Sequence, residues 1–258
     1  MRFGSCINID QIPVLRDAGY DYAELKVVDL RPDNDEATYA PIRRRIVEAG
    51  FDVDGCNVFI PAHHPVVGPG HDLPALRGYV TTALARMSEL GARFVVFGSG
   101  RARGCPAGFD PAQAHAQIAE FLRMTADVAS PLGIDVVIEP LARYVCNTLN
   151  TVVEGYDMAI ETGRENVSTL ADWWHVCHNE EPIESLHSVK PLLRHIHVPV
   201  PPFPDREAQP IDAAYDTFLS VLKATGYDLR VSVEDNGRRF GDLTVDAPAA
   251  LAYLKARL

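Results

Sequence analysis

The sequence lacks the features that mark several common classes of protein. It has few cysteines, widely spaced, odd in number and without a CxxC pair, which fits neither a disulfide framework nor a zinc knuckle: Cys6, Cys56, Cys105, Cys146 and Cys177. No stretch of eighteen apolar residues occurs, and the N-terminus MRFGSCINID has no basic region followed by an apolar one. We therefore expect reduced cysteines and a soluble, cytoplasmic protein.

Basic charge is also scarce. The chain has 24 lysines and arginines against 35 acids, a formal net charge of -11, and a pI of about 5.2. Nucleic-acid backbones and anionic lipids select basic surfaces, so we expect neither a nucleic-acid nor a membrane partner. A small, neutral substrate is favoured, and the oligomeric state stays open, with a homo-oligomer as one alternative.

No linker rich in serine, glycine or proline divides the chain. Its 258 residues are 47% hydrophobic, which suffices for a large core. This length suits one barrel of about 250 residues or two ordinary domains.

Short β-type runs alternate with longer helical segments along the chain, without a solenoid-like repeat. The predicted strands are residues 3–8, 22–27, 53–59, 94–98, 135–139, 168–172, 193–198 and 229–234. The predicted helices are one that ends at residue 18 and those at 35–49, 73–90, 110–132, 151–161, 182–190, 212–225 and 246–257. Eight such units predict an α/β fold, a (β/α)8 TIM barrel that occupies residues 1–258 as a single domain.

One strand-to-helix connection, DVVIEPLARYVCNTLNT, shows how such a unit ends. Its apolar run VVI is typical of a strand buried on both faces. Pro140, which cannot donate to a ladder, follows the carboxylate of Glu139. Thr151 and Glu154 then form a capping box. Barrel enzymes place their chemistry where a parallel strand ends at such an acid.

Four consecutive predicted strands end in groups that can bind a metal: Glu139, Asp172, His197 and Glu234. The carboxyl ends of barrel strands meet at one rim, so we expect these side chains to be neighbours. Three unpaired carboxylates this close together would repel each other, and a divalent cation between them offsets that repulsion. An oxygen-rich set with a single imidazole favours Mn²⁺, Mg²⁺ or Co²⁺, with Zn²⁺ as a further alternative.

Two further side chains are candidates for substrate binding. His175 lies three residues after Asp172, and Arg206 lies in the loop after His197. A neutral imidazole and a guanidinium beside a metal are suited to hydrogen-bond an oxyanion that develops next to a carbonyl. The alternatives are a packing role for His175 and a solvated loop charge for Arg206.

Other polar segments carry weaker indications. Residues 98–103 follow a strand, and their amides with Arg101 or Arg103 are candidates for holding a phosphate, although a plain turn is favoured. His63 and His64 lie in the loop after the third strand. Their loop could bring them to the predicted metal site, but solvated positions are favoured.

The motifs together resemble the sugar (phosphate) isomerase/epimerase superfamily. These xylose isomerase-like TIM barrels include ketose 3-epimerases, hydroxypyruvate isomerases and, more distantly, endonuclease IV. The resemblance covers nearly the whole chain, from GYDYAEL through NVFIP, VVFGSGRAR and EPLARYVCNTLNTVVEG to ADWWH, HIHV and VSVED. Its most specific motifs are EPL-x-RY-x-x-N-x-LNT and D-x-x-H.

For the epimerase branch, the resemblance implies a role for each candidate: Glu139, Asp172, His197 and Glu234 as metal ligands, His175 and Arg206 as contacts of substrate oxygens. Two departures stand out. Val145 occupies a position where that branch usually has a glutamate, and the loop VPVPPFPD before Arg206 is longer and richer in proline. Both concern the substrate more than the metal.

We therefore expect a metal-dependent isomerase or epimerase that acts on a small carbohydrate or hydroxy-ketone through a cis-enediolate. Glu139 and Glu234 would serve as acid and base, one taking a proton from carbon and the other returning it. Two alternatives stay open. One is a metal-dependent lyase or dehydratase on a cyclitol or keto acid, similar to inosose dehydratase, and the other is a barrel that binds sugar without turnover. The net charge of -11 disfavours an apurinic endonuclease.

Overall fold

The computed structural model describes residues 1–204, 206–235 and 240–258. Eight parallel strands close into a barrel in chain order, with the last strand paired to the first. The strands are β1 Arg2–Cys6, β2 Tyr22–Lys26, β3 Val53–Asn57, β4 Phe94–Phe97, β5 Asp135–Ile138, β6 Val167–Asp172, β7 Leu193–Val198 and β8 Arg230–Glu234. The predicted (β/α)8 TIM barrel is confirmed.

Helices cover the outside of the barrel. In the described ranges they are α1 Ile12–Asp17, α2 Glu36–Glu48, α3 Leu73–Glu89, α4 Gly100–Arg103, α5 Pro111–Ala129, α6 Val152–Thr162, α7 Trp173–His178, α8 Ser185–Val189, α9 Tyr215–Ala224 and α10 Leu243–Lys255. No helix in this part of the chain has both the length and the apolar character needed to span a membrane. The main apolar core lies between these helices and the strands.

Local sequence determines where several helices begin. The side chain of Asp110 accepts a hydrogen bond from Ala112 N–H at the start of α5, with Pro111 in the first turn. Thr151 and Glu154 form the predicted capping box at the start of α6. These caps replace helix-internal bonds that the first backbone N–H groups cannot make.

Several helices differ from the sequence prediction. Helix α7 begins directly after β6, because the side chain of Asp172 accepts from Trp174 N–H at 2.6 Å and caps it. The helix predicted at 182–190 is shorter, since only α8 is α-helical and a 3-10 turn, Lys190–Leu192, follows it. Helix α10 begins at residue 243 rather than 246, because Asp242 caps it through Thr244 N–H.

An apolar layer fills the middle of the barrel. The rings of Tyr22 and Phe94 meet edge-on there, with centroids 6.4 Å apart. A Cβ atom on Gly4 would lie 2.2 Å from the Tyr22 ring, and one on Gly55 would lie 2.1 Å from the Phe94 ring. Glycine at both positions therefore makes room for the rings. The complete layer is Tyr22, Phe94, Val96, Val137 and Leu170.

A buried ionic cluster closes the end of the barrel where the strands begin. The carboxylate of Asp54, which is fully buried, accepts from Arg2 at 2.6 Å and from Arg230 at 2.6 Å, and it also contacts Arg93. These residues belong to the first halves of β1, β3 and β8 or directly precede β4. One carboxylate therefore joins four segments at the end opposite the predicted metal site of Glu139, Asp172, His197 and Glu234.

Candidate active site

The structure brings the four predicted rim groups together where β5 to β8 end. One ligating atom from each of Glu139, Asp172, His197 and Glu234 can be chosen so that all four lie within 4.8 Å of one another. Nδ1 of His197 lies 3.1 Å from Glu139 Oε1 and 3.1 Å from Glu234 Oε2. The register of the barrel accounts for part of this proximity, because Asp172 and His197 are paired neighbours on β6 and β7.

Burial and mutual repulsion determine the charges of these carboxyl groups. Burial raises the pKa of Asp172 well above its ordinary value, and the neighbouring carboxylates of Glu234 and Glu139 raise it further. Burial also raises the pKa of Glu139. For Glu234, burial acts in the same direction, but the imidazole of His197 outweighs it and lowers the pKa. Three acids and one imidazole in this arrangement fit a divalent cation, which offsets the repulsion that burial intensifies.

A further acid, Glu24, lies next to His197. Its carboxylate is fully buried and accepts hydrogen bonds from His197 Nε2 at 3.0 Å, His195 Nε2 at 2.9 Å and Ser232 Oγ at 2.8 Å. Burial alone would raise the pKa of Glu24, yet the imidazoles of His197 and His195 together hold it well below its ordinary value. The ionised Glu24 therefore keeps a proton on Nε2 of His197, and Nδ1 is the nitrogen that faces the carboxylates of Glu139 and Glu234.

Glu24 is absent from the sequence prediction, whose metal-binding set is drawn only from the ends of the predicted fifth to eighth strands. The signal that identifies it is an acid within the apolar strand YAELK, since a buried carboxylate requires partners. The register places it near the site, because Cys6 of β1 is aligned with Glu24 on one side and Glu234 on the other. His195 occupies the deeper position that strand alternation predicts, packed against Phe94 with ring centroids 4.5 Å apart.

His175 lies beside the cluster as a neutral imidazole. Its Nδ1 accepts a hydrogen bond from Ala142 N–H at 3.1 Å, so the ring proton is on Nε2. Nε2 lies 3.8 Å from Asp172 Oδ2. Burial lowers the pKa of His175 to about 4. His175 is therefore an uncharged hydrogen-bond donor whose Nε2 atom points toward the four-residue cluster.

The segment after β4 supports Glu139, and one of its two candidate phosphate-binding arginines, Arg103, is used for that support. It contains the short helix α4 rather than the favoured plain turn. Arg103 is fully buried and donates to the carbonyl oxygens of Gly98 at 2.6 Å, Glu139 at 2.8 Å and Thr148 at 3.0 Å. Its guanidinium is thus engaged with the backbone. A Cβ atom on Gly98 would lie 2.1 Å from Glu139 Oε2, so glycine leaves the space that this carboxylate occupies.

The structure does not bring Arg206 into the four-residue cluster. Its guanidinium pairs with Asp246 Oδ2 at 2.6 Å and lies over the Phe203 ring. Arg206 lines a cavity whose wall includes Phe240 and Gly241. The same two residues line a cavity of about 450 Å³ that contains Glu234, so the two spaces adjoin. The proline-rich loop before Arg206 ends at a position outside the described residues.

The remaining candidates contact other groups. His63 and His64 both contact Asp33, at 2.9 Å and 2.7 Å. Val145 is 45% exposed, and its side chain lies near Gly100 at the start of α4. The functional consequence of valine at that position stays a prediction.

Comparison with known proteins agrees with this architecture. A family model described as a xylose isomerase-like TIM barrel matches residues 12–257. D-psicose 3-epimerase of Agrobacterium fabrum is 34% identical over 89 residues, which are 34% of this chain and 31% of that protein. Inosose isomerase of Bacillus velezensis is 32% identical over 126 residues, 45% of each chain. The matched segments thus span less than half of these relatives.

Solved structures resemble the chain over its full length. A D-psicose 3-epimerase from Clostridium cellulolyticum H10 with D-tagatose superimposes with a TM-score of 0.82 at 19% identity, covering 100% of this chain and 99% of that one. A 3-keto-D-glucoside 4-epimerase from E. coli gives a TM-score of 0.77 at 20% identity, covering 99% of each chain. At these identities the likeness shows the fold alone.

Proposed function

Because the chain belongs to the xylose isomerase-like TIM barrel family, we propose that it is a metal-dependent sugar isomerase or epimerase. The observation that carries the proposal is the position of Glu139 and Glu234, each with a carboxylate oxygen 3.1 Å from the same nitrogen of His197. Two carboxyl groups beside one substrate position can exchange a proton with carbon. The names of the curated relatives, which include epimerases and an isomerase, support the reaction class.

The two glutamates differ in environment, which suits opposite roles in proton transfer. Burial raises the pKa of Glu139, whereas His197 lowers the pKa of Glu234. We assign Glu234 as the base and Glu139 as the acid in one direction, although a bound cation, which both groups would contact, would lower both pKa values. Glu234 lines the cavity of about 450 Å³ that would admit a substrate. In this direction Glu234 takes a proton from carbon, and Glu139 returns one to give the epimer or isomer.

The residues that would hold the cation are Glu139, Asp172, His197 and Glu234. A divalent cation there supplies Lewis-acid stabilisation of the negative charge that an enediolate places on adjacent oxygens. Mn²⁺, Mg²⁺ and Co²⁺ suit this oxygen-rich donor set best, and Zn²⁺ is a further alternative. Asp172 also caps helix α7, so the loop and helix that carry His175 are fixed relative to the donor set.

His175 and Arg206 are the proposed contacts of substrate oxygens. The neutral His175 can donate from Nε2 to an oxygen beside the reacting carbon without carrying charge into the site. Arg206 would have to exchange its contact with Asp246 for a substrate oxygen at the boundary of the two adjoining cavities. Replacement of Arg206 by alanine should raise KM and lower kcat/KM without changing metal affinity, because a guanidinium has no lone pair for a cation.

The proposal is tested by proton exchange at carbon. Chelator-treated protein is reconstituted with Mn²⁺, Co²⁺ or Mg²⁺ and incubated in D₂O with ketoses, aldoses, hydroxypyruvate and inososes. We expect metal-dependent turnover with deuterium at the reacting carbon. Glu234→Gln should lower kcat by about 10² to 10⁴-fold, since it removes the proposed base. Because Glu234 is also a proposed metal ligand, bound metal is counted in this variant before its kcat is compared with that of the wild type.

Other products distinguish the alternatives. Formation of an ultraviolet-absorbing enone or diketone would replace the isomerase proposal by a dehydratase. Saturable sugar binding without deuterium incorporation in any metal form would indicate a binding protein. Turnover that is unaffected by Glu234→Gln would contradict the assigned base.

A further inference from the structure

Three side chains outside the candidate active site converge at the same face of the barrel. Asp33 lies in the connection between β2 and α2, and His63 and His64 lie in the connection between β3 and α3. Oδ2 of Asp33 is 2.9 Å from His63 Nε2, and Oδ1 is 2.7 Å from His64 Nε2. Ligating atoms of all three lie within 4.8 Å of one another. None of the three belongs to the donor set around His197.

We propose that Asp33, His63 and His64 form a second divalent-cation site, here called the rim site. Two imidazoles and one carboxylate are the donors that Zn²⁺, Co²⁺, Ni²⁺ and Cu²⁺ favour, in contrast to the oxygen-rich set of the candidate active site. With tetrahedral metal–ligand bonds of about 2.0 to 2.2 Å, neighbouring ligand atoms lie about 3.3 to 3.6 Å apart. The observed separations of 2.9 and 2.7 Å would therefore widen by about 0.4 to 0.9 Å on binding an ion, a movement that side-chain rotation can supply.

The backbone that carries Asp33 is held by a buried arginine. Arg86 of α3 is only 5% exposed. Its guanidinium donates to Leu30 O at 2.9 Å and Asn34 O at 2.7 Å, and also contacts Arg31 O. These carbonyls flank Asp33 in sequence. The carboxylate therefore projects from a fixed segment, which reduces the entropy lost when a ligand orders it.

The histidine pair is held in a similar way. Pro61 O accepts from His64 N–H at 3.0 Å, which closes a turn around His63. The His64 ring packs against Tyr79 with centroids 4.7 Å apart, and Tyr79 in turn donates to Phe59 O at 2.9 Å. Tyr79 of α3 thus positions His64, and the turn places His63 beside it, with ring centroids 4.5 Å apart.

The rim site is open to solvent on one side. The side chains of His63 and Asp33 are 65% and 42% exposed, and that of His64 is 21% exposed. An ion can therefore enter and keep water in its remaining coordination positions, as in sites with two histidines and one carboxylate. Occupancy would join the β2–α2 and β3–α3 connections. The inference does not depend on the proposed function.

The test is a zinc titration of chelator-treated protein by isothermal calorimetry, with bound zinc counted after dialysis. Wild-type protein should bind two zinc ions in separate classes. Asp33→Asn and the double variant His63→Ala/His64→Ala should each lose one class, with affinity at that site at least tenfold weaker. His197→Ala should lose the other class and keep the rim site.

A surface pair with one imidazole provides the matched control. His115 Nε2 lies 2.6 Å from Glu161 Oε2, and both side chains are about half exposed at 53% and 44%. His115→Ala should leave both classes of zinc binding intact. The rim site is refuted if Asp33→Asn and the double variant bind zinc as the wild type does, or if His197→Ala removes all bound zinc. Loss of one class in Asp33→Asn together with unchanged binding in His197→Ala would support the rim site and show that the candidate active site does not bind zinc.

Discussion

Glu24 determines which nitrogen of His197 faces the carboxylates of Glu139 and Glu234. Its carboxylate accepts from Nε2 of His197 at 3.0 Å and from Nε2 of His195 at 2.9 Å. Carboxylate partners of this kind orient a ligating imidazole and raise its basicity. The side chain acts through His197 and does not itself face the rim, so we regard it as a positioning residue.

Replacement of Glu24 by glutamine should therefore weaken metal binding. We expect Mn²⁺ or Co²⁺ affinity to fall about 10 to 100-fold, because an amide no longer fixes the proton on Nε2 of His197. Calorimetry measures the affinity, and ¹⁵N shifts of His197 report the tautomer. Ser232→Ala, which removes another donor to Glu24, is the control and should have a smaller effect. Wild-type affinity and an unchanged tautomer in Glu24→Gln would contradict this role.

His175 gives a prediction about pH. Its pKa of about 4 in the folded protein lies below the ordinary value of 6.5. As pH falls through 6.5, the unfolded chain binds a proton that the folded protein does not bind until about pH 4. The free energy of unfolding should therefore decrease over this interval, by at most about 3 kcal/mol, and should show no contribution from His175 above it.

The measurement combines urea unfolding between pH 4 and 8 with NMR titration of the His175 ring. A His175→Asn variant should show a shallower decrease in stability toward acid than the wild type. The ring resonances of His175 should stay constant between pH 5.5 and 8. A midpoint near 6.5 would show that burial does not perturb this imidazole.

At this scale, strand ends in the sequence predict which rim groups become neighbours. Glu139, Asp172, His197 and Glu234 each lie within one residue of the end of a β-strand, and the closed barrel makes their proximity a matter of register. Arg206 differs because a long loop separates it from β7, and its contact with Asp246 depends on where that loop meets α10. Strand periodicity carries no information about such loop contacts.

Among the elements, the end of β4 is shaped around the Glu139 side chain. The Cα of Gly98 leaves space for the carboxylate, and Arg103 fixes the carbonyl of the same glutamate at 2.8 Å. The strand end and helix α4 thus form a support for one member of the donor set.

Gly98→Ala should displace the Glu139 carboxylate, since the new methyl group would lie 2.1 Å from Oε2. We expect a stability loss of about 1 to 3 kcal/mol and a larger relative loss of metal affinity and turnover. Gly78→Ala is the matched control, because that glycine is exposed within α3 and a Cβ there meets nothing within 4 Å. The control should be neutral or stabilising by about 0.5 to 1 kcal/mol. Equal metal affinity in Gly98→Ala and wild type would show that Glu139 adapts.

The helices show which boundaries a sequence predicts. Asp110 with Pro111, and Thr151 with Glu154, mark helix starts correctly because both signals are local. Helix α7 escapes prediction because its cap, Asp172, is also the last residue of a strand and a candidate ligand. In the sequence, Asp172 is recognised as the end of a strand, and its second role as a helix cap is not visible.

Across the whole molecule, polar groups concentrate at the two ends of the barrel, with the apolar layer between them. The donor set lies where the strands end, and Asp54 with its arginines lies where they begin. The rings of that layer contact both sides, since Phe94 lies 5.2 Å from the Arg230 guanidinium and 4.5 Å from His195.

Asp54→Ala should destabilise the protein without changing the metal affinity of the candidate active site. Removal of this buried carboxylate leaves Arg2, Arg93 and Arg230 without their common partner, and we expect a loss of about 3 kcal/mol in urea unfolding. Asp216→Ala, which breaks an exposed pair with Arg257, should cost less than about 1 kcal/mol. Metal affinity of folded Asp54→Ala should equal that of the wild type, and a large change in affinity would show that the two ends are coupled.

The Asp54 cluster also determines where the protein can tolerate sequence diversity. It joins β1, β3, β8 and the residue before β4, whereas Asp172 and His197 come from β6 and β7 and Glu139 follows β5; Glu234 shares β8 with the cluster. Libraries that randomise the loops after β5 to β7 would leave every member of that cluster unchanged. Most variants should then stay folded while their substrate preference changes. The stability that the Asp54 cluster contributes would therefore limit how many substitutions these loops can accept.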